Sequence, residues 1–236
     1  EAAWGEVARR LAHEIKNPLT PIQLSAERIR RKFMDQIPEH ERDALDRSTR
    51  TISEQVDTMK RMVDAFSSYA RSERLTLGEL QLNQLIEDVG DLHRRPDQKS
   101  IISLELGAQV PVIRADKGAI LQVLNNLLAN AQDAVEVLPH GKVSIRTQIK
   151  VDDGVDGVEI VVDDNGAGFP AELIGQVFEP YVTSKAKGTG LGMAFVKRII
   201  DSHGGYVRVS NRQADKPGHS GGRVRVWLPV AQHDAA

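Results

Sequence analysis

Apolar residues return every three or four positions through the first third of the chain, and then the rhythm changes. Val7, Leu11, Ile15, Leu19, Ile22, Ala26, Ile29 and Phe33 make one helical stripe. The run "DQIPEHE" interrupts it. Pro38 followed by Glu39 and Glu41 suits a fresh helix start, where proline forgoes only an orphan N–H and acids complement the positive dipole end. Leu45, Ile52, Met59 and Phe66 then recur at sevens, with Val56, Val63 and Ala70 between them, which predicts a heptad seam. Two helices with a short connection predict an antiparallel hairpin. Alone it would leave much apolar surface wet, so a second copy is expected to complete a four-helix bundle, a homodimer.

From residue 76 the period shortens to two. "IISLEL", "KVSIRTQIKV", "GVEIVVDD", "YVRVS" and "GRVRVWLP" alternate and are β-branched, which predicts strands. Helical stretches separate them at 82–94, 116–137 and 190–203, and glycines cluster at 166–168, 188–192, 204–205 and 221–222, which predicts turns. "RQADKPGHSG" reads as an exposed hairpin loop and "AQHDAA" as a frayed tail. The expected division is a helical hairpin over 1–75 and a mixed α/β domain over 76–236.

Composition narrows the function. The 236 residues carry a net charge of −2, which disfavours nucleic acid or an anionic membrane surface as the main partner. There is no cysteine, so disulfides and thiolate zinc sites are excluded. No apolar run approaches the roughly 20 residues of a bilayer span, so no direct membrane contact is expected within this sequence. It begins at Glu1 rather than methionine, and a piece of something longer is a natural reading.

Three stretches could carry chemistry. In "LQVLNNLLANAQDAV", Gln122, Asn126 and Asn130 fall four apart and form a polar line on an otherwise apolar helix. They could simply be satisfied polar residues, or their amide oxygens could be hard ligands for Mg²⁺. In "VDDNGAGFP", two acids end a strand before Gly166 and Gly168. Asn-Gly often marks only a turn, but Asp164 could accept a hydrogen bond from an exocyclic amine such as that of adenine. In "KAKGTGLGMAFVKRII", Gly188, Gly190 and Gly192 run into an amphipathic helix, an anion site by its free N–H groups and dipole, with Lys185 and Lys187 just before it. No strand directly precedes these glycines, so the dinucleotide fingerprint fits poorly.

Taken in order, these stretches resemble the N, G1 and G2 boxes of the histidine-kinase, Hsp90, gyrase and MutL type of ATP-binding fold. "FEPYVTSK" is similar to the F box and the start of the lid. The "HEIKNPLT" hairpin resembles the dimerisation and phosphoacceptor domain of two-component sensor histidine kinases, closest to NtrY-like nitrogen-regulation sensors. The resemblance implies an all-α hairpin forming a dimeric four-helix bundle, then an α/β sandwich ATP-binding domain. It implies ATP contacts at Asn126, Asn130, Asp164, Gly166, Gly168, Tyr181, Lys185, Gly188, Thr189, Gly190, Leu191 and Gly192, with Asn130 on Mg²⁺. It also implies the cytoplasmic portion of a membrane-anchored sensor, and a response-regulator receiver domain as partner.

Within that frame His13 becomes intelligible. It lies two residues from both Leu11 and Ile15, so at about 100° per residue it points away from the stripe. A helical histidine is often just a surface residue, and a zinc protease is disfavoured because Asn17 stands where H-E-x-x-H needs its second histidine. Given an ATP-binding domain, His13 reads as the phosphoacceptor and Glu14 as the acid that draws a proton from one ring nitrogen. The resemblance gives Asn17 a water-positioning role in dephosphorylating the regulator. Pro18 removes the helical bond to the Glu14 carbonyl, and the resulting looseness is expected to tune kinase against phosphatase activity.

Two departures stand out. Gln122 replaces the glutamate by which ATP-hydrolysing cousins activate water, which favours transfer over hydrolysis. Gly222 and Arg223 stand where many members place a threonine near adenine, so no adenine role is expected for that segment. A degenerate scaffold that binds nucleotide or regulator without transfer is the rival reading, and a gyrase-type ATPase a second. The intact His13, Glu14, Asn130 and Asp164 speak against the scaffold, and the phosphoacceptor-like hairpin against the ATPase.

Overall fold

A computed structural model describes residues 2–70, 75–94, 101–185, 188–212 and 221–230. By compactness the chain divides into a hairpin unit, with which Thr183–Leu191 is grouped, and a unit made of Arg74–Val182 and Gly192–Ala236.

The hairpin consists of α1 (Ala2–Phe33) and α2 (Glu39–Ala70). Both form over the predicted runs, but their shared seam is narrower than the apolar pattern. Ala12, Leu19 and Ala26 of α1 are buried, as are Thr49 and Val56 of α2. Leu11, Ile15, Ile22, Ile29 and Phe33 stay exposed, and so do Ile52 and Met59. Of the expected seam on α2, Val56 is buried and Leu45 and Phe66 are half-buried, while Ile52 and Met59 lie outward and Thr49 joins the buried line. Two helices can cover only one stripe each, and this sequence carries more apolar width than one stripe. Polar pairs fix the register across the seam, with Arg30 donating to Asp46 (2.6 Å) and Gln23 to Asp57 (3.2 Å).

The second unit comprises β1 (Gly78–Leu80), α3 (Leu82–His93), β2 (Ile101–Leu106), β3 (Ile113–Ala115), α4 (Lys117–Val135), β4 (Lys142–Asp152), β5 (Val155–Asp164), α5 (Gly192–Ser202), β6 (Tyr206–Asn211) and β7 (Gly222–Pro229). A five-stranded sheet runs in the order β2-β4-β5-β7-β6, with β2 parallel to β4 and the other pairs antiparallel. The short β1–β3 ladder was not anticipated; three-residue strands carry too little alternation to register. The helices pack on the face bearing Ile102, Val143, Ile145, Val158, Ile160 and Val226, and Gly90 of α3 lets that helix approach Leu104 closely.

Helix α4 is the centre of this core: Ile120, Val123, Leu124, Leu127 and Leu128 are buried. Its N-cap is Asp116, whose carboxylate accepts from the N–H of Ala119 (2.9 Å) and Thr76 (2.8 Å). These bonds hold the Asp116 carboxyl below its ordinary range. The Asp116 N–H in turn donates to Nε2 of His203 (3.0 Å), and His203 Nδ1 donates to the Ile199 carbonyl (2.8 Å). This fully buried histidine thereby ties the start of α4 to the end of α5.

Candidate active site

His13, Glu14 and Asn17 are exposed on α1, one turn from end to end. Glu14 accepts from Arg10 across one helical turn (3.0 Å). The helix continues unbroken through Pro18 and also Pro21, a second interior proline. Proline has no N–H, so the carbonyls four residues back, those of Glu14 and Asn17, lose their helical donors. The two prolines thus free backbone acceptors at the two residues flanking the face of His13. Pro21 passed unremarked in the sequence, where only Pro18 drew notice.

Strand alternation separates the two acids that end β5. Asp163 points to the helix-free face and takes a bidentate pair from Arg223 (2.7 and 2.8 Å) and a further bond from Arg146 (2.9 Å). Asp164 points to the helix face, is buried, and its carboxylate forms no ion pair among the described residues, Arg212 donating to its backbone carbonyl instead (3.3 Å). Its Oδ1 accepts the N–H of Gly166 (2.8 Å) and of Gly222 (3.0 Å). Burial drives its carboxyl above the ordinary range, against the lowering effect of those two N–H groups.

Oδ2 of Asp164 is kept open by glycine. A Cβ on Gly222 would lie 2.6 Å from it, and one on Gly221 would lie 1.8 Å from the Asp164 carbonyl oxygen. The segment to which no role was given in the sequence therefore shapes the carboxylate by its N–H and by its missing side chain. Gly166 crosses close to the Ala134 carbonyl of α4, where a Cβ would come within 2.5 Å. Gly168 takes φ of 77°, a left-handed conformation suited to glycine. Asn165 bolts the turn by accepting from the Lys142 N–H (2.7 Å) and donating to the His140 carbonyl (2.9 Å). Asn211 clamps the next residue, Phe169, through both its N–H and its carbonyl (2.6 and 2.8 Å).

Asn126 and Asn130 are half-buried on α4 and meet the start of α5. The Asn126 amide nitrogen donates to the Gln122 carbonyl (3.0 Å), which directs its oxygen outward. A Cβ on Gly192, the first residue of α5, would sit 3.3 Å from Asn126 Oδ1 and 3.8 Å from Asn130 Nδ2. Glycine thus leaves a gap between the asparagines and a helix N-terminus. Amide oxygens there are hard donors, and the unpaired N–H groups of the first turn favour phosphate, so the residues present fit a magnesium–phosphate group. Among the described residues no cluster of three or more acidic, histidine or cysteine side chains offers an alternative metal site.

Of the remaining predicted residues, Tyr181 is exposed with φ of 69°. Lys185 is half-buried, and its N–H donates to Thr183 Oγ1 (3.1 Å). Gly188 packs against that same hydroxyl, where a Cβ would come within 2.5 Å. Gly190 has φ of 67°, and Leu191 is buried, its N–H facing Thr189 Oγ1 at 3.4 Å. Lys187, the loop between β6 and β7 at 213–220, and the tail at 231–236 lie outside the described residues.

Comparison with known proteins matches both halves. The family described as "Histidine kinase-, DNA gyrase B-, and HSP90-like ATPase" matches residues 115–232, and "His Kinase A (phospho-acceptor) domain" matches 3–75. The chain belongs to the sensor histidine kinases.

The nitrogen regulation protein NtrY of Azorhizobium caulinodans is 40% identical over 96% of this kinase chain, which spans 29% of that protein. The sensor histidine kinase ZraS of Escherichia coli K12 is 32% identical over 97% of the chain and 46% of its own length. Among solved structures, a complex of the histidine kinase ThkA with the response regulator protein TrrA aligns with a TM-score of 0.64 at 27% identity, covering 96% of this chain and 61% of that one. Full-length ShkA in complex with AMPPNP aligns at 0.68 and 24% identity, over 98% and 47%, and shares the fold. This kinase chain therefore represents less than half of the curated relatives named here. Among its described residues no helix is long and apolar enough to cross a membrane.

Proposed function

We propose that this chain is the catalytic core of a nitrogen-regulation type of sensor kinase, which phosphorylates His13 from ATP and passes the group to an aspartate of a response-regulator receiver domain. The observation that carries this reading is one buried carboxylate, Asp164, held by two backbone N–H groups and kept open by glycine, in a chain that also exposes His13 beside Glu14. A carboxylate so held can recognise an exocyclic amine of a purine, and the α4–α5 gap suits its phosphates.

Asp164 Oδ2 accepts from the adenine amine, while Oδ1 stays occupied by Gly166 and Gly222. Asn130 would hold Mg²⁺, with Asn126 beside it at the phosphate end, and the ion would supply neutralisation of phosphate charge. Lys185 and the Gly188–Gly192 loop hold the phosphates, with Thr189, Leu191 and Tyr181 beside them. At His13 a ring nitrogen attacks the γ-phosphorus, an N–P bond forms as the bond to ADP breaks, and Glu14 takes the proton of the other nitrogen. Arg10 engages one oxygen of Glu14. Asn17 orients water for the reverse duty, hydrolysis of the regulator's phosphoaspartate. The exposed apolar stripe on α1 and α2 supports a homodimer through the hairpin, and we read the chain as the cytoplasmic module of a membrane-anchored sensor.

The test is incubation with Mg²⁺ and γ-labelled ATP, alongside His13→Gln. Acid-labile, base-stable label that disappears in the variant is expected. No label despite nucleotide binding would replace the kinase reading with that of a scaffold. Pro18→Ala should shift the ratio of kinase to phosphatase activity, and an unchanged ratio would remove the proline from the mechanism.

A further inference from the structure

The helix-free face of the five-stranded sheet is rich in cations. Lys150 is taken up by buried Glu159, which burial alone would push toward protonation but which its bonds from Lys150 and Gln148 hold charged. Asp163 is buried under Arg146, Arg223 and, at 3.9 Å, Arg212. Glu105 of β2, in register beside Arg146 on this face, is a further carboxylate near that group. Two further arginines, Arg208 of β6 and Arg225 of β7, stand directly opposite each other in register, and neither forms an ion pair among the described residues. Like charges facing across a ladder oppose pairing; buried Glu159 acts on Arg225 through space, and an anion over the exposed Arg208 would relieve the rest.

The bed beneath is aromatic and fixed. Trp227 lies over Gly157, where any Cβ would overlap its ring, and donates from Nε1 to the Lys150 carbonyl (2.9 Å). Tyr206 stacks on it at 5.5 Å between centroids, and the Arg208 guanidinium sits 4.6 Å above the Tyr206 ring. Arg208 is exposed and Arg225 half-buried, so their charged ends are within reach of a partner. Arg223 and Arg225 are two positions apart on β7, about 7 Å along the strand, which is also the spacing of alternate side chains in an extended peptide.

We propose that this face, centred on Arg208 and Arg225, docks an extended acidic segment of a partner protein. Alternate carboxylates would take bidentate bonds from the arginines, relieving the cross-strand repulsion. A peptide can space its charges to avoid buried Asp163 and Glu159, whereas a continuous phosphate array would meet them.

The experiment titrates the whole chain with a fluorescent oligo-glutamate peptide, and in parallel with phosphatidylserine vesicles and a single-stranded oligonucleotide. The double variant Arg208→Gln/Arg225→Gln is compared throughout, and binding of an ATP analogue confirms its fold. Peptide binding weakened at least tenfold in the variant is expected, with amide shifts on titration confined to β6 and β7. Equal binding by the variant, shifts elsewhere, or association only with the vesicles or the oligonucleotide would overturn the proposal.

Discussion

The two units spend their apolar residues in opposite ways. The sheet unit buries large side chains completely, with Ile86, Ile120, Leu128, Val158 and Ile200 among those with no exposed surface. The hairpin buries chiefly small residues, Ala12 and Ala26 beside Leu19 and Val56, and leaves Ile22, Ile29, Ile52 and Met59 more than two-fifths exposed. One unit closes its core within the chain; the other holds half a core on its surface. A homodimer through the hairpin, as proposed above, would make the hairpin's stability depend on concentration.

That contrast can be broken most sharply by truncation. Leu128→Ala should destabilise the sheet unit by about 2–5 kcal/mol at any concentration, because a filled site becomes a cavity. Ile22→Ala should change hairpin stability by less than about 0.5 kcal/mol in dilute, monomeric protein, as expected of a surface site, and far more once dimers form. Denaturant melts at several concentrations decide it: an equal effect of Ile22→Ala at all of them would remove the dimer.

Asp164→Asn sharpens the distinction between stability and function inside the sheet unit. Nucleotide affinity should fall at least tenfold, measured by calorimetry, because an amide nitrogen would face the adenine amine. Stability at neutral pH should not fall. The folded carboxyl titrates above the unfolded value of about 3.9, so between those two pH values the native state holds a proton the unfolded chain has lost. Native stability therefore declines as pH rises through that window, and the advantage of the asparagine variant should open over the same window.

Asp116→Ala should cost about 1 kcal/mol through loss of the α4 cap. Its sign with pH is opposite: the folded carboxyl titrates lower than the unfolded one, so its contribution is present above about pH 3.9 and disappears as pH falls through the folded value. Thermal melts of the variant and native chain should converge in acid. The smallest effect belongs to the hairpin surface: Arg10→Ala removes an exposed helical ion pair and should cost a few tenths of a kcal/mol. If Arg10 restrains Glu14, labelling of His13 should nevertheless quicken, which separates a kinetic role from a structural one.

Much of this was legible in the chain. The strands at 101–106, 142–152, 155–164, 206–211 and 222–229 fall on its β-branched runs; one covered face imposes period two on β2 and the first half of β4, whereas β5 is buried on both faces. The helices end within a few residues of their expected limits, where caps such as Asp116 fix the termini. Asp164 immediately precedes Asn-Gly, which favours it over Asp163 in the sequence; the structure separates them by strand alternation, with arginines on the Asp163 side. Gly222 and His203 were overlooked as positioning residues. Their partners lie 58 and 87 residues away, and no local pattern encodes so distant a bond.

The sequence by itself determined the periods, the turns and the kinds of atoms available: which stretches are helix or strand, where glycine permits close approach, and which carboxylates and amides exist. These are local properties, set by side-chain shape and backbone freedom within a few residues. Only the tertiary structure decided which apolar stripe is covered, which of two adjacent acids is neutralised, and which glycine opens the carboxylate to a ligand. Each of those depends on atoms that folding brings together from far along the chain, and burial, charge and hydrogen bonding act through space rather than along the sequence.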